Sequence, residues 1–122
     1  MRHVAEFPRK TILLEDVGIV MADGTRLSAR IWMPEDAEAD PVPAIVEHLP
    51  YRKRDGTAAR DALTHPYFAG HGYACIRVDM RGNGDSDGLM EDEYTEMELA
   101  DACAVIAWAR AQPWCTGRVG MI

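Results

Sequence analysis

Long apolar runs are missing from this sequence. No stretch approaches the roughly 18 consecutive apolar residues of a spanning helix, and the opening MRHVAEFPRK lacks an apolar segment with a small-residue cleavage site. The expectation is a soluble, cytoplasmic protein. Cysteine is also scarce: Cys75, Cys103 and Cys115 are odd in number and show neither C-x-x-C nor a Cys/His metal spacing. They read as reduced core residues, and no metal or cofactor is expected. Positive charge is in deficit, 13 Lys+Arg against 20 Asp+Glu for a net charge of -7, which repels phosphate backbones and anionic lipid. Nucleic acid and membrane surfaces are therefore excluded as expected partners. Repeats and low-complexity tracts are absent too, and the Pro-rich acidic stretch Pro34 to Pro43 reads as a surface loop. What remains is one domain over 1–122, with 48% hydrophobic residues to build a core.

The local patterns give an element order. Val17 to Met21 and Arg26 to Met33 are β-rich runs, and Asp23-Gly24 between them suits a hairpin turn. Ala44 to Glu47 and Tyr73 to Val78 are continuous apolar runs, predicted as strands buried on two faces. Ala58 to Ala69 has helical composition, and Pro66 predicts a break or restart within it. Thr95 and Glu98 form a capping box. Leu99, Ala102, Cys103 and Ile106 then recur at helical spacing, widened by Val105 and Trp108, which predicts a well-buried helix. Pro113 ends it near Gln112, Gly117 resets the chain, and Val119 to Ile122 reads as a strand. Strands alternating with helices after a hairpin predict an α/β fold, a mostly parallel sheet behind an antiparallel edge.

Several residues invite a chemical reading. Gly84-Asp85-Ser86-Asp87-Gly88 matches G-x-S-x-G, the nucleophile-elbow pattern, yet the preceding strand ends near Asp79 and the next helix starts near Thr95. An elbow needs a tight strand-to-helix turn, and two flanking aspartates would oppose an oxyanion, so Ser86 reads as a loop residue. Asp79, Arg81, Gly82, Gly84 and Ser86 fit a structural loop, while the aspartates there argue against phosphate binding. Glu47 to Asp55 leaves the third strand at its carboxyl end, where open α/β sheets place ligands, and is the best site candidate by position. Within it Tyr51 is either an ordinary loop aromatic or a phenol able to donate to an oxyanion. His48 reads more readily as a structural histidine than as a base, because its one candidate serine is Ser86.

Three motifs in this order resemble one family: Pro50-Tyr51, then Asp79-x-Arg81-Gly82-x-Gly84-x-Ser86-x-Gly88, then Trp114-Cys115-x-Gly117-x-Val119-Gly120-Met121. From about Val17 to Ile122 the chain resembles the CocE/NonD hydrolases, relatives of the Xaa-Pro dipeptidyl-peptidases. The resemblance implies the N-terminal part of an α/β-hydrolase fold, ending at the strand before the nucleophile elbow. It implies a serine hydrolase that cleaves ester, amide or Xaa-Pro peptide bonds through an acyl-enzyme, with a small-molecule or short-peptide substrate and no cofactor. By resemblance Tyr51 contributes its hydroxyl to the oxyanion hole, and nucleophile, acid and histidine all lie beyond Ile122, as do a helical cap and a jelly-roll domain. The chain alone is then expected to be inactive, and its unpaired last strand to promote self-association. The alternative is a non-catalytic binding module with its pocket between the Leu49–Asp55 and Arg81–Gly88 loops. Catalysis by Ser86 with His48 is the weakest reading.

Overall fold

Alternate side chains of the central strands fall on two unlike faces of the sheet. In the computed structural model, which describes residues 8–49, 58–79 and 96–121, the chain runs β1 (Thr11–Val20), β2 (Arg26–Pro34), β3 (Val42–Leu49), α1 (Ala58–Gly70), β4 (Ala74–Asp79), α2 (Glu96–Arg110) and β5 (Cys115–Met121). The strands form one mixed sheet in the order β1-β2-β4-β3-β5. β2 is antiparallel to both β1 and β4, whereas β3 is parallel to both β4 and β5. This is the antiparallel edge leading into a parallel sheet that the element order predicts.

One face carries the main core. Leu27, Ala29 and Ile31 of β2, Val42, Ala44 and Val46 of β3, and Ile76 and Val78 of β4 pack there with Val105 and Ala109 of α2. Residues as enclosed as Val46 and Ile76, both 0% exposed, each contribute roughly 1.5–3 kcal/mol by leaving water. The other face lies under α1, where Trp32, Ala69 and Cys75 form a smaller apolar cluster with Ile45 and Phe68. The two helices therefore cover opposite faces. β4, sandwiched between them, is buried along its whole length.

The hairpin closes as expected at Asp23-Gly24. Gly24 has φ +87°, Met21 N–H donates to the Thr25 carbonyl at 2.8 Å, and Thr25 N–H donates to Asp23 Oδ1 at 3.0 Å. β1 starts six residues before the predicted Val17 (17 − 11), because its first half is held by backbone pairing to Ile31–Pro34 and not by burial. Ile12, Leu13 and Leu14 are all exposed there, so no alternation marks the strand. A bulge between Leu14 and Val17 interrupts the register where Asp16 accepts hydrogen bonds from Ser28 Oγ and Arg26.

Two helical expectations need correction. α1 runs through Pro66 without a break. Proline removes one backbone donor, but His65, Ala69 and Phe68 on either side are packed against the sheet, which outweighs that loss. In α2 the inward residues are Asp101, Val105 and Ala109, spaced i, i+4, i+8, whereas Leu99 is 65% exposed and Cys103 is also exposed. The helix is apolar almost all round, so periodicity could not choose its face, and the small Ala109 lets its backbone approach the sheet. Cys75 and Cys115 are buried as expected, while Cys103 is not.

β5 begins at Cys115, four residues before the predicted Val119 (119 − 115). Between Cys115, opposite Val42, and Val119, opposite Ala44, the strand bulges, and Gly117 absorbs the distortion at φ +93°. Cys115 Sγ sits inside the bulge, accepting from Gly117 N–H at 3.4 Å. Among the described residues no helix is long and apolar enough to cross a membrane.

Candidate active site at the carboxyl edge of the sheet

Parallel pairing brings the carboxyl ends of β3, β4 and β5 to one edge. Leu49 lies opposite Asp79, and Met121 lies opposite Val46. The crossovers leaving β3 and β4 pass over opposite faces, which makes the end of β3 a topological switch point, the usual ligand position in an open α/β sheet. Segments 50–57 and 80–95 both leave from this edge. Tyr51, Ser86 and the Arg81–Gly88 loop fall in them and so lie outside the described residues. His48, in β3, has its backbone opposite Val78 of β4. β4 ends at Asp79, seven residues before Ser86 (86 − 79), and α2 begins at Glu96, ten after it (96 − 86).

What the structure does assemble here is a buried polar cluster on the α1 face. Arg30, Arg77 and Glu47 form one row across β2, β4 and β3, since Arg30 pairs with Arg77 and Arg77 with Glu47. Two like charges side by side in adjacent strands repel, so the row depends on its carboxylate. Glu47 is 6% exposed and Arg77 0%. Glu47 Oε2 stands 3.9 Å from Arg77 Nε and 3.4 Å from Nε2 of His65, which α1 lowers onto the sheet. The His65 ring lies 4.6 Å from that of Trp32, tilted by 31°, and Arg30 sits over the same indole at 5.8 Å. Asp79, the last residue of β4, is also buried.

The cluster excludes thiol chemistry next to it. Burial, with Glu47 adding its charge, pushes the Cys75 thiol up to about 12. Cys75 therefore stays protonated and inert at neutral pH. No group of three or more His, Cys, Asp or Glu among the described residues could hold a metal ion. A cavity of about 440 Å³ lined by Ile12, Met33, Asp36 and Trp114 opens at the opposite, amino edge of the sheet, away from this site.

Sequence reasoning placed Glu47 at the carboxyl edge but missed its partners. The available signal was Arg77, a cation inside a strand predicted to be buried on both faces, which has to find an anion. His65 carried no such signal, because only the docking of α1 brings it to Glu47.

Comparison with known proteins agrees with this geometry. Residues 23–122 match the family described as X-Pro dipeptidyl-peptidase (S15 family). The cocaine esterase of Rhodococcus sp. is 36% identical over 107 residues, covering 87% of this chain and 18% of that protein. A CocE/NonD family hydrolase from Staphylococcus aureus superposes with a TM-score of 0.78 at 23% identity, covering 91% of this chain and 23% of its own. An α-amino acid ester hydrolase superposes with a TM-score of 0.69 at 24% identity, covering 99% and 22%. The chain thus spans under a fifth of the length of the cocaine esterase. It belongs to the S15 X-Pro dipeptidyl-peptidase family of hydrolases and has the fold of the N-terminal portion of a CocE/NonD-type α/β hydrolase.

Proposed function

We infer that this chain is the N-terminal portion of the catalytic domain of a serine hydrolase that cleaves ester, amide or Xaa-Pro peptide bonds through an acyl-enzyme. The observation that carries this reading is the parallel placement of β5 beside β3. It sets the end of β5, where the nucleophile elbow of such a hydrolase belongs, next to the end of β3, from which the Tyr51 segment leaves. The nucleophile follows Met121-Ile122, and the acid and histidine come from further downstream. Ser86 takes no part in this reading, because the aspartates on either side of it would oppose an oxyanion.

In this mechanism the serine attacks the acyl carbonyl and its proton passes to the histidine. The oxyanion is bound by the backbone N–H after the serine and by the Tyr51 hydroxyl. The leaving alcohol or amine takes the proton from the histidine, and water then releases the acid by the reverse path. Ester and amide substrates share this route, and substrate choice rests with segments outside 1–122. The substrate is a small ester or amide or a short peptide, and no cofactor enters.

Sequencing the coding DNA beyond codon 122 tests this directly. G-x-S-x-G within the next few codons, with Asp and His far downstream, is expected; a stop codon there would favour a binding-only module. In the longer protein, fluorophosphonate should label that serine, and Tyr51→Phe should lower kcat about 100-fold, as loss of one oxyanion donor does. An unchanged kcat would remove Tyr51 from the mechanism.

A further inference from the structure

We propose that the outer edge of β1 joins two copies of this chain, its first half pairing antiparallel with itself about a two-fold axis at Leu13. Among the described residues β1 is the end strand of the sheet, and no strand pairs with its outer side. Glu35 N–H donates to the Lys10 carbonyl at 2.8 Å, so the backbone groups of Lys10, and by alternation those of Ile12 and Leu14, turn inward to β2. Those of Thr11 and Leu13 turn outward, open to a further strand. The devices that usually blunt such an edge are missing from this half. Thr11 to Leu14 carries neither charge nor proline, and the bulge comes only after Leu14. Ile12, Leu13 and Leu14 are each at least 38% exposed.

Charge complementarity selects a second copy as the occupant. Residues opposed in an antiparallel pair turn their backbone groups both inward or both outward, so opposed positions of one strand are both odd-numbered or both even-numbered. Centring the pair on Ile12 sets Lys10 against Leu14, and centring it on Leu14 sets Ile12 against Asp16. Centring it on Leu13 sets Leu13 against Leu13, Ile12 against Leu14 and Lys10 against Asp16. Apolar then meets apolar, and cation meets anion at both ends. Asp16 is shared with Arg26, but Glu15 beside it is exposed and, like Lys10, forms no ion pair among the described residues, so the opposed ends keep opposite charge. Ile12 and Leu14 lie on the face of the amino-edge cavity, and Leu13 lies opposite Trp32 on the α1 face. Both faces of the sheet therefore gain an apolar contact across the axis.

The test uses the longer protein. Sedimentation velocity across a concentration series should show a monomer–dimer equilibrium. Leu13→Lys sets two ammonium groups together at the axis and should abolish the dimer. Lys10 is exposed and precedes β1, so Lys10→Glu leaves the fold intact while setting like charges at both ends. It should weaken the dimer about tenfold. Opposed residues that exchange both backbone hydrogen bonds have Cα atoms about 5.5 Å apart, within reach of a disulfide. With Cys103→Ser as background, mild oxidation should therefore link Leu13→Cys chains to each other. Thr11→Cys, whose two copies would stand about 14 Å apart along the pair, should stay unlinked. A monomer at every concentration would overturn the proposal and leave the edge to another segment of the protein. So would a dimer that Leu13→Lys and Lys10→Glu leave unchanged, or equal linking of the Thr11→Cys and Leu13→Cys chains.

Discussion

Replacing Arg77 with methionine should destabilise the protein severely, and replacing Glu47 with leucine at the same time should restore most of the loss. Arg77 Nε lies 3.9 Å from Glu47 Oε2. At an effective dielectric constant near 20, unit charges at that distance attract by about 4 kcal/mol. With Glu47 at 6% exposure, the carboxylate cannot recover that energy from water. Arg77→Met alone should therefore cost about 3–4 kcal/mol, because Glu47 loses its cross-strand cation while keeping His65 at 3.4 Å. Glu47→Leu alone should also be costly, because Arg30 and Arg77 then face each other across adjacent strands with no anion in the row. The double variant has neither defect and should lie within about 2 kcal/mol of the wild type. Urea unfolding followed by tryptophan fluorescence measures this. For a slope of about 2 kcal/mol per molar, each single variant should move the midpoint by about 2 M. Single variants that cost under about 1 kcal/mol, or losses that simply add in the double variant, would refute the reasoning.

The thiols should separate by exposure: iodoacetamide at neutral pH should alkylate Cys103, which is exposed, and leave the buried Cys75 and Cys115 unmodified, as read by mass spectrometry of the folded protein. Because the folded Cys75 thiol is raised from 9.0 to about 12, its contribution to stability is complete below pH 9 and is lost as pH rises toward 12; Cys75→Ala should flatten that alkaline decline. Gly117→Ala should destabilise by about 1–2 kcal/mol in urea unfolding. No atom lies within 4 Å of the added methyl, so backbone strain at φ +93° accounts for the whole effect. The Arg9 hydrogen bond holds the Asp36 carboxyl below its ordinary value, so this contact stabilises above that value and is lost as pH falls through the lowered one. NMR titration of Asp36 should show the lowered midpoint, and Arg9→Ala should abolish the shift.

The order of strands and helices was legible because it depends on local signals. Asp23-Gly24 marked the hairpin, the runs around Val46 and Ile76 marked strands covered on both sides, and Pro113 marked the end of α2. The misreadings share one cause, namely that tertiary packing decided what local pattern left open. Leu99 and Val105 are equally apolar, and only contact with β3 and β5 turns Val105 inward. Thr11–Asp16 is strand only because β2 offers it hydrogen bonds. Pro66 is tolerated because the helix around it is pinned by His65 and Ala69.

The buried cluster shows where pattern reading stops for the site as well. A charge that remains inside a two-sided strand is unfavourable unless something opposes it, so Arg77 alone implies a buried anion in a neighbouring strand. Sequence could not say which, since register decides it: a shift of one residue would place His48 opposite Arg77 in place of Glu47 and turn the glutamate to the apolar face. The ion pair therefore penalises a slipped register of β3 against β4. The same register aligns the ends of both strands, after which segments 50–57 and 80–95 follow in sequence, so this pair constrains the edge on which the proposed chemistry depends.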